Sequence, residues 1–211
     1  MDTKALRDIS YGLYVIGTEN EGKKYGCIVN TVFQITSVNP MICVSMNKDN
    51  ATHDAIKASG KFSAAILSED TDPAVIGTFG FQSSRDIDKF ADVLYEEVAG
   101  VPVVKEAITA YLVCEVVSFV DAETHSLILG RVVEAEKTYP LKPMTYEYYH
   151  RVIKGSAPKN APTYVEEKPQ ENTVSYVCDV CGYTYEGDFS QVPDDFKCPV
   201  CKQDKSHFQV K

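Results

Sequence analysis

Cys178-Asp179-Val180-Cys181 and Cys198-Pro199-Val200-Cys201 lie sixteen residues apart at the C-terminal end of this 211-residue chain. Each two-residue spacer lets both sulfurs of a pair reach one ion, so four thiolates can converge on a single tetrahedral centre. Such all-sulfur sites hold zinc or iron. Unbridged or disulfide-bonded cysteines are the bland alternative, and on spacing alone the pattern falls within the zinc-ribbon window. The neighbouring residues favour iron: Tyr176, Tyr183, Tyr185, Phe196 and Phe208 crowd the two pairs. A domain this small needs a metal and a dense apolar cluster to fold. The same packing keeps water off an iron centre and tunes its potential.

Tyr-x-Cys-x-x-Cys-Gly-Tyr-x-Tyr over 176–185, then Pro-Asp-Asp-aromatic-x-Cys-Pro-x-Cys over 193–201, makes the segment 174–211 resemble a rubredoxin. The resemblance implies one iron held by Cys178, Cys181, Cys198 and Cys201, cycling between ferrous and ferric, with zinc as the substitute the same cage accepts. Three features depart from that family. The stretch between knuckles is short, Phe196 stands where the family carries Trp, and Lys202 replaces the glycine expected after the second pair. A side chain in the left-handed region costs about 1–2 kcal/mol, so the second knuckle is expected to differ in shape from the first.

The remaining length leaves room for one full core ahead of this module. No run of about 18 apolar residues marks a transmembrane helix, and Met1 to Arg7 lacks the apolar stretch of a secretory signal. Cys27, Cys43 and Cys114 lie in apolar, β-branched runs and read as core packing; with four cysteines in metal spacing, they suit a reducing cytoplasm. The net charge of −9 is spread: 15 bases against 21 acids over 1–154, 2 against 3 over 155–173, and 4 against 6 over 174–211. No part is basic, which disfavours nucleic-acid binding. An acidic surface suits docking to partner proteins, although solvation explains it equally well.

Pro158, Pro162 and Pro169 within 155–173 forbid a long helix or a central strand and mark a linker. A flexible chain of that length spans about 20–25 Å, enough for the tail module to dock and undock. Ahead of it, 1–154 reads as mainly β. An opening hairpin is expected over 11–18 and 25–30, strands at 41–46 and 61–67, and a pair at 110–119 and 126–136 around the acidic turn at Asp121. Short helices are expected at 52–59, with Thr52 as N-cap, and at 73–77, 85–92 and 145–154. Closure into a barrel would protect the strand edges. No dinucleotide-binding or phosphate-loop glycine motif follows any strand, and no hydrolase signature appears.

Three clusters of small polar residues stand out. Asn30-Thr31-Val32-Phe33-Gln34 ends a strand in groups able to bond a heterocycle. Ser45-Met46-Asn47-Lys48-Asp49-Asn50-Ala51-Thr52 leads into a helix N-terminus, a natural phosphate site. Ser83-Ser84-Arg85 and Lys89 add two hydroxyls and two cations. Asn-Thr-Val-Phe-Gln-Ile-Thr-Ser at 30–37, the 45–52 segment and Phe-Gly-Phe-Gln-Ser-Ser-Arg-Asp-Ile-Asp-Lys-Phe at 79–90 resemble the flavin reductase-like, FMN-binding split-barrel family over roughly 1–165. That resemblance implies a homodimer with FMN at the subunit edge. Asn30, Thr52, Arg85 and Lys89 would hold the phosphate and ribityl chain. Thr31, Gln34, Ser45, Asn47 and Asn50 would line the ring and tail, with Ser84 standing where the family often has glycine. His125 would orient the nicotinamide; a strand-turn histidine facing solvent is the competing reading.

Joined, the halves resemble the high-molecular-weight rubredoxin family of NAD(P)H:rubredoxin oxidoreductases. The resemblance implies electrons passing from NAD(P)H through FMN to the iron, and on to a flavodiiron protein that reduces oxygen or nitric oxide. A nicotinamide delivers two electrons together whereas a one-iron site takes one, and flavin mediates between them. Tethering raises the effective concentration of one site near the other to about millimolar. The rival reading is a flavin or ferric reductase whose tail is a structural zinc module.

Overall fold

The computed structural model describes residues 3–158, 161–164, 175–185, 189 and 192–210. A 3-10 turn over Thr3–Asp8 leads into β1 (Tyr14–Asn20), β2 (Lys23–Val29), β3 (Val32–Thr36) and β4 (Met41–Asn47). Then come α1 (Ala51–Ser59), β5 (Lys61–Leu67), α2 (Pro73–Phe81), β6 (Tyr95–Val98) and β7 (Val101–Val104). The long pair β8 (Ile108–Ala122) and β9 (His125–Lys137) and the short α3 (Tyr146–Arg151) complete the body.

Seven strands form one sheet in the order β2-β1-β5-β8-β9-β4-β3, all paired antiparallel. Its two edge strands, β2 and β3, are consecutive in sequence and joined only by Asn30 and Thr31. A two-residue link cannot cross a flat seven-stranded sheet, whose strands lie about 4.8 Å apart. The sheet therefore curls until its edges approach, bringing β2 against β4, while the β3–β4 ladder runs back to Thr31, whose carbonyl accepts the Ser45 amide at 3.1 Å.

Both faces of the inner strands are buried, and successive residues go to opposite sides. Val15 and Ala65 join a core with Val75, Ile76, Phe79 and Tyr149. Their neighbours Ile16 and Ala64 join another with Ile56, Phe62, Cys114 and Ile128. Cys27, Cys43 and Cys114 are buried free thiols, in keeping with a packing role.

Three expectations are corrected. The segment 85–92 is turns rather than helix: the Asp88 carboxylate accepts the Phe90 amide and the Ser83 hydroxyl accepts the Arg85 amide, side chains taking the place of helical carbonyls. The N-cap of α1 is Asn50, whose side chain accepts the Thr52 amide, so Thr52 sits inside the helix. The third concerns the second knuckle and appears below. The strands β3, β6 and β7 were not anticipated.

In the tail, β10 (Tyr176–Cys178) is flanked by β11 (Thr184–Tyr185) and β12 (Phe208–Val210). Phe189, Phe196, Phe208, Tyr176 and Tyr185 pack ring on ring beside the cysteines. Part of the linker segment lies outside the described residues; its described part is pinned to the body. Tyr149 donates through its hydroxyl to the Ser156 carbonyl, and Thr163 donates to the Tyr146 hydroxyl at 2.7 Å. No helix among the described residues is long and apolar enough to cross a membrane.

Candidate functional site

The two knuckles bring all four sulfurs within 4.8 Å of one another. Cys178 and Cys201 sulfurs are 3.5 Å apart, and those of Cys181 and Cys198 3.4 Å. A tetrahedron with metal–sulfur bonds of about 2.3 Å has edges of about 3.8 Å, so the cage fits a single sulfur-ligated ion. Cys178, Cys181 and Cys198 are buried and Cys201 is half-buried. The Cys181 thiol bonds Cys198, which pulls Cys198 well below the usual thiol range and pushes Cys181 above it.

The second knuckle does not differ in shape. Gly182 N donates to Cys178 O at 2.8 Å, and Lys202 N donates to Cys198 O at 2.9 Å. The backbone is left-handed at both, with φ of 71° and 60°. The knuckle geometry prevails over the side-chain cost because a further backbone bond holds it, Cys198 N to Gln203 O, matching Cys178 N to Tyr183 O in the first knuckle.

On the body, the third polar segment meets the second at the start of α1. Arg85 reaches it from the turn after α2, donating to the Asp49 carbonyl at 3.0 Å and lying 3.6 Å from the Asp54 carboxylate. A groove of ≈ 540 Å³ lined by Lys23, Tyr25, Ala51, Asp54 and Arg85 runs beside it. Ser84 is fixed by exchanging bonds with both backbone groups of Gly26. Lys89 is 4% exposed and donates to the carbonyls of Gly26 and Phe79, at 2.9 and 3.1 Å. Burial lowers its pKa to about 8. Beside it the Cys27 thiol is pushed up to about 11 by the same burial, opposed by Lys89, Thr52 and Asn50.

Thr52 supplies the test of whether an anionic cofactor fits. Its Oγ1 is fully buried and meets no nitrogen or oxygen partner among the described residues, with only the weakly bonding Cys27 thiol beside it; a buried hydroxyl left without a full partner costs about 1–3 kcal/mol. The hydroxyl sits in the first turn of α1, where the helix amides and dipole favour an anion. The residues present therefore fit a phosphate group.

Asn30 and Thr31 occupy the barrel seam, Thr31 donating to the Asn30 side chain. The Asn30 amide donates to Thr163, so a linker residue and Tyr146 border this position, an arrangement the sequence did not signal. Asn47 lies directly across from His125 in the β4–β9 register; its side chain accepts the Asp49 amide, while His125 bonds Thr124. Ser45 lies two residues earlier on β4. Gln34 stands apart on the exposed edge strand, donating to the Thr36 carbonyl.

A β-barrel carrying an anion-ready helix start, joined to a four-sulfur cage, defines a flavoprotein oxidoreductase with a metal-binding module. The chain belongs to the flavin reductase like domain family, which matches residues 6–156, and its end matches the rubrerythrin, rubredoxin-like domain over 176–209. It is 39% identical to a high molecular weight rubredoxin of Moorella thermoacetica over 99% of each chain. It is 42% identical to a ferric-chelate reductase (NAD(P)H) of Archaeoglobus fulgidus, over 80% of this chain and all of that one. Among solved structures, the flavin reductase PheA2 in its native state superimposes with a TM-score of 0.58 at 29% identity, covering 69% of this chain and 93% of that one. The expectation of a flavin reductase-like barrel fused to a rubredoxin-like module is met.

Proposed function

We propose that the chain carries electrons from NAD(P)H through FMN on the barrel to iron in the cysteine cage, and on to an acceptor protein of the flavodiiron class. The observation that carries this reading is the presence, on one polypeptide, of a four-sulfur cage and a flavin reductase barrel with an orphaned hydroxyl at an anion site. A bound flavin supplies hydride acceptance and single-electron release, and a four-thiolate iron supplies a one-electron store.

The chain's own residues bind and orient. Thr52, Asn50, Arg85 and Lys89, with the amides opening α1, hold the phosphate; Asn30 and Ser84 shape the approach to it. Thr31, Ser45 and Asn47 line the ring at the seam, and His125, across from Asn47, orients the nicotinamide. The acids Asp179, Asp194, Asp195 and Asp204 are exposed on the module, a surface complementary to a basic partner face.

The reading includes a homodimer. Phe33, Ile35 and Val38 are exposed on or beside β3, as are Val117 and Val120 on β8 and Val133 on β9. A second copy would cover these apolar side chains.

One observation favours a second reading: a ferric-chelate reductase aligns over its whole length while a fifth of this chain lies outside the match. In that case the body alone would reduce ferric chelates and the tail would be structural. Metal analysis with visible spectra, followed by anaerobic stopped-flow mixing with NADH, separates the two. Red iron-loaded protein whose flavin and iron bleach in turn supports the relay; a colourless, zinc-filled cage ends it.

A further inference from the structure

Pro73-Ala74-Val75-Ile76-Gly77-Thr78-Phe79-Gly80-Phe81, the whole of α2, contains one hydroxyl and no charge, and none of its residues is exposed. A helix apolar on every side is one covered on every side. Val75, Ile76 and Phe79 face the barrel core, and Gly80 approaches Ile28 of β2. Phe81 packs into the core of the metal module.

The module completes the cover by resting its second knuckle on Gly77. A Cβ there would stand 2.8 Å from the Cys201 Cα and 2.8 Å from the Val200 carbonyl oxygen, closer than side chains pack. Gly77 has no positive φ, so the position needs glycine for space and not for backbone freedom. Glycine inside a helix costs about 1 kcal/mol against alanine, and here the gain is close approach of the two backbones. The first knuckle is held separately: Ser156 Oγ donates to the Cys181 carbonyl at 2.7 Å. Lys202 pairs at 3.6 Å with Asp72, the N-cap of α2. Ile153 packs against both cores, and a cleft of ≈ 430 Å³ between Pro73, Tyr183 and Pro199 marks the rim.

The same helix meets the candidate anion site. The Phe79 carbonyl accepts from Lys89, and two residues of helix, about 3 Å of rise, separate Phe79 from Gly77. We propose that α2 is the seat at which the metal module takes its electrons from the body of its own chain. Gly77 admits the Cys201 side of the cage, and Ser156 and Asp72 fix its orientation. This rests on the relay reading above. The balance is one reduced nicotinamide and two ferric centres giving oxidised nicotinamide, two ferrous centres and one proton.

Two measurements on the full chain loaded with flavin and iron test the seat. The first compares backbone amide NMR signals between ferric and zinc-substituted protein. Paramagnetic broadening of 72–81 and 152–156 is expected, and sharp signals there in the ferric protein overturn the proposal. That comparison needs no nicotinamide. The second mixes NADH anaerobically with wild type, Gly77→Val and Lys202→Glu and follows flavin and iron bleaching in the same sample. Relative to flavin bleaching, iron bleaching is expected to slow about tenfold or more in Gly77→Val, where overpacking unseats the module. A smaller slowing, about threefold, is expected in Lys202→Glu, whose pair is exposed. Unchanged ratios in both variants overturn the seat. Failure of wild-type iron to bleach overturns the relay instead, and the NMR comparison still decides the seat. Gly77→Ala replaces Gly77→Val if the larger side chain prevents flavin loading.

Discussion

Lys202 repeats, in the second knuckle, the place that Gly182 holds in the first: each amide bonds the carbonyl of the leading cysteine four residues back, and each backbone is left-handed. One of the two positions carries a side chain that the geometry does not favour.

Lys202→Gly should therefore stabilise the module by about 1 kcal/mol, the left-handed cost removed less the weak exposed pair with Asp72. The midpoint of the thermal loss of the metal–sulfur absorption reads it. A lower midpoint would mean that the Asp72 pair outweighs the strain.

Thr52→Val keeps the shape and deletes the orphaned hydroxyl. Flavin-free protein should be unchanged or more stable by about 1 kcal/mol, because an unpaired buried polar group disappears. Flavin affinity should fall about tenfold, a loss of about 1.4 kcal/mol. Unchanged affinity in a flavin titration would remove Thr52 from the site.

Lys89 gives a pH signature with a defined sign. Its pKa is lowered by burial from 10.5 to about 8, so between those values the folded protein binds fewer protons than the unfolded chain. Stability of flavin-free protein should be lowest below pH 8 and rise towards pH 10.5, by at most about 1.4 kcal/mol per unit. Lys89→Met should abolish that rise in denaturant unfolding. Bound FMN should abolish it too, since its phosphate would hold the ammonium charged; a slope that survives FMN binding would place Lys89 away from the phosphate.

Cys198→Ala leaves three sulfurs and an opened cage. The variant should lose its iron yet keep NADH-driven flavin reduction, while reduction of an acceptor protein falls to background. Acceptor reduction at the wild-type rate would mean that electrons leave the body without visiting the cage.

The strands with two buried faces were legible because β-branched and small apolar residues run without interruption, as in Lys61–Leu67, whose bounds were anticipated. The knuckles were legible from spacing. Other elements left weaker marks. In Tyr95–Val98 two exposed glutamates mask the strand pattern, and it is held by pairing with the fully buried β7. The segment 85–92 has Ile87 and Phe90 at helical spacing, but Ser83 and Asp88 capture its amides. At the candidate site, local sequence grouped Asn50 with Thr52, and Arg85 joined them only through folding. Gln34 stayed on the edge strand. The contact of Gly77 with Cys201 spans more than half the chain, and its single trace in the sequence is a helix without a charge.

That uncharged helix constrains descent as well as folding. A gene that shed the tail would leave Gly77 and Phe81 facing water, and selection would have to repaint that flank with polar side chains or bury it against something new. Barrel and tail are therefore bound to change together, substitution answering substitution, even though a proline-studded connector makes them look like separable parts.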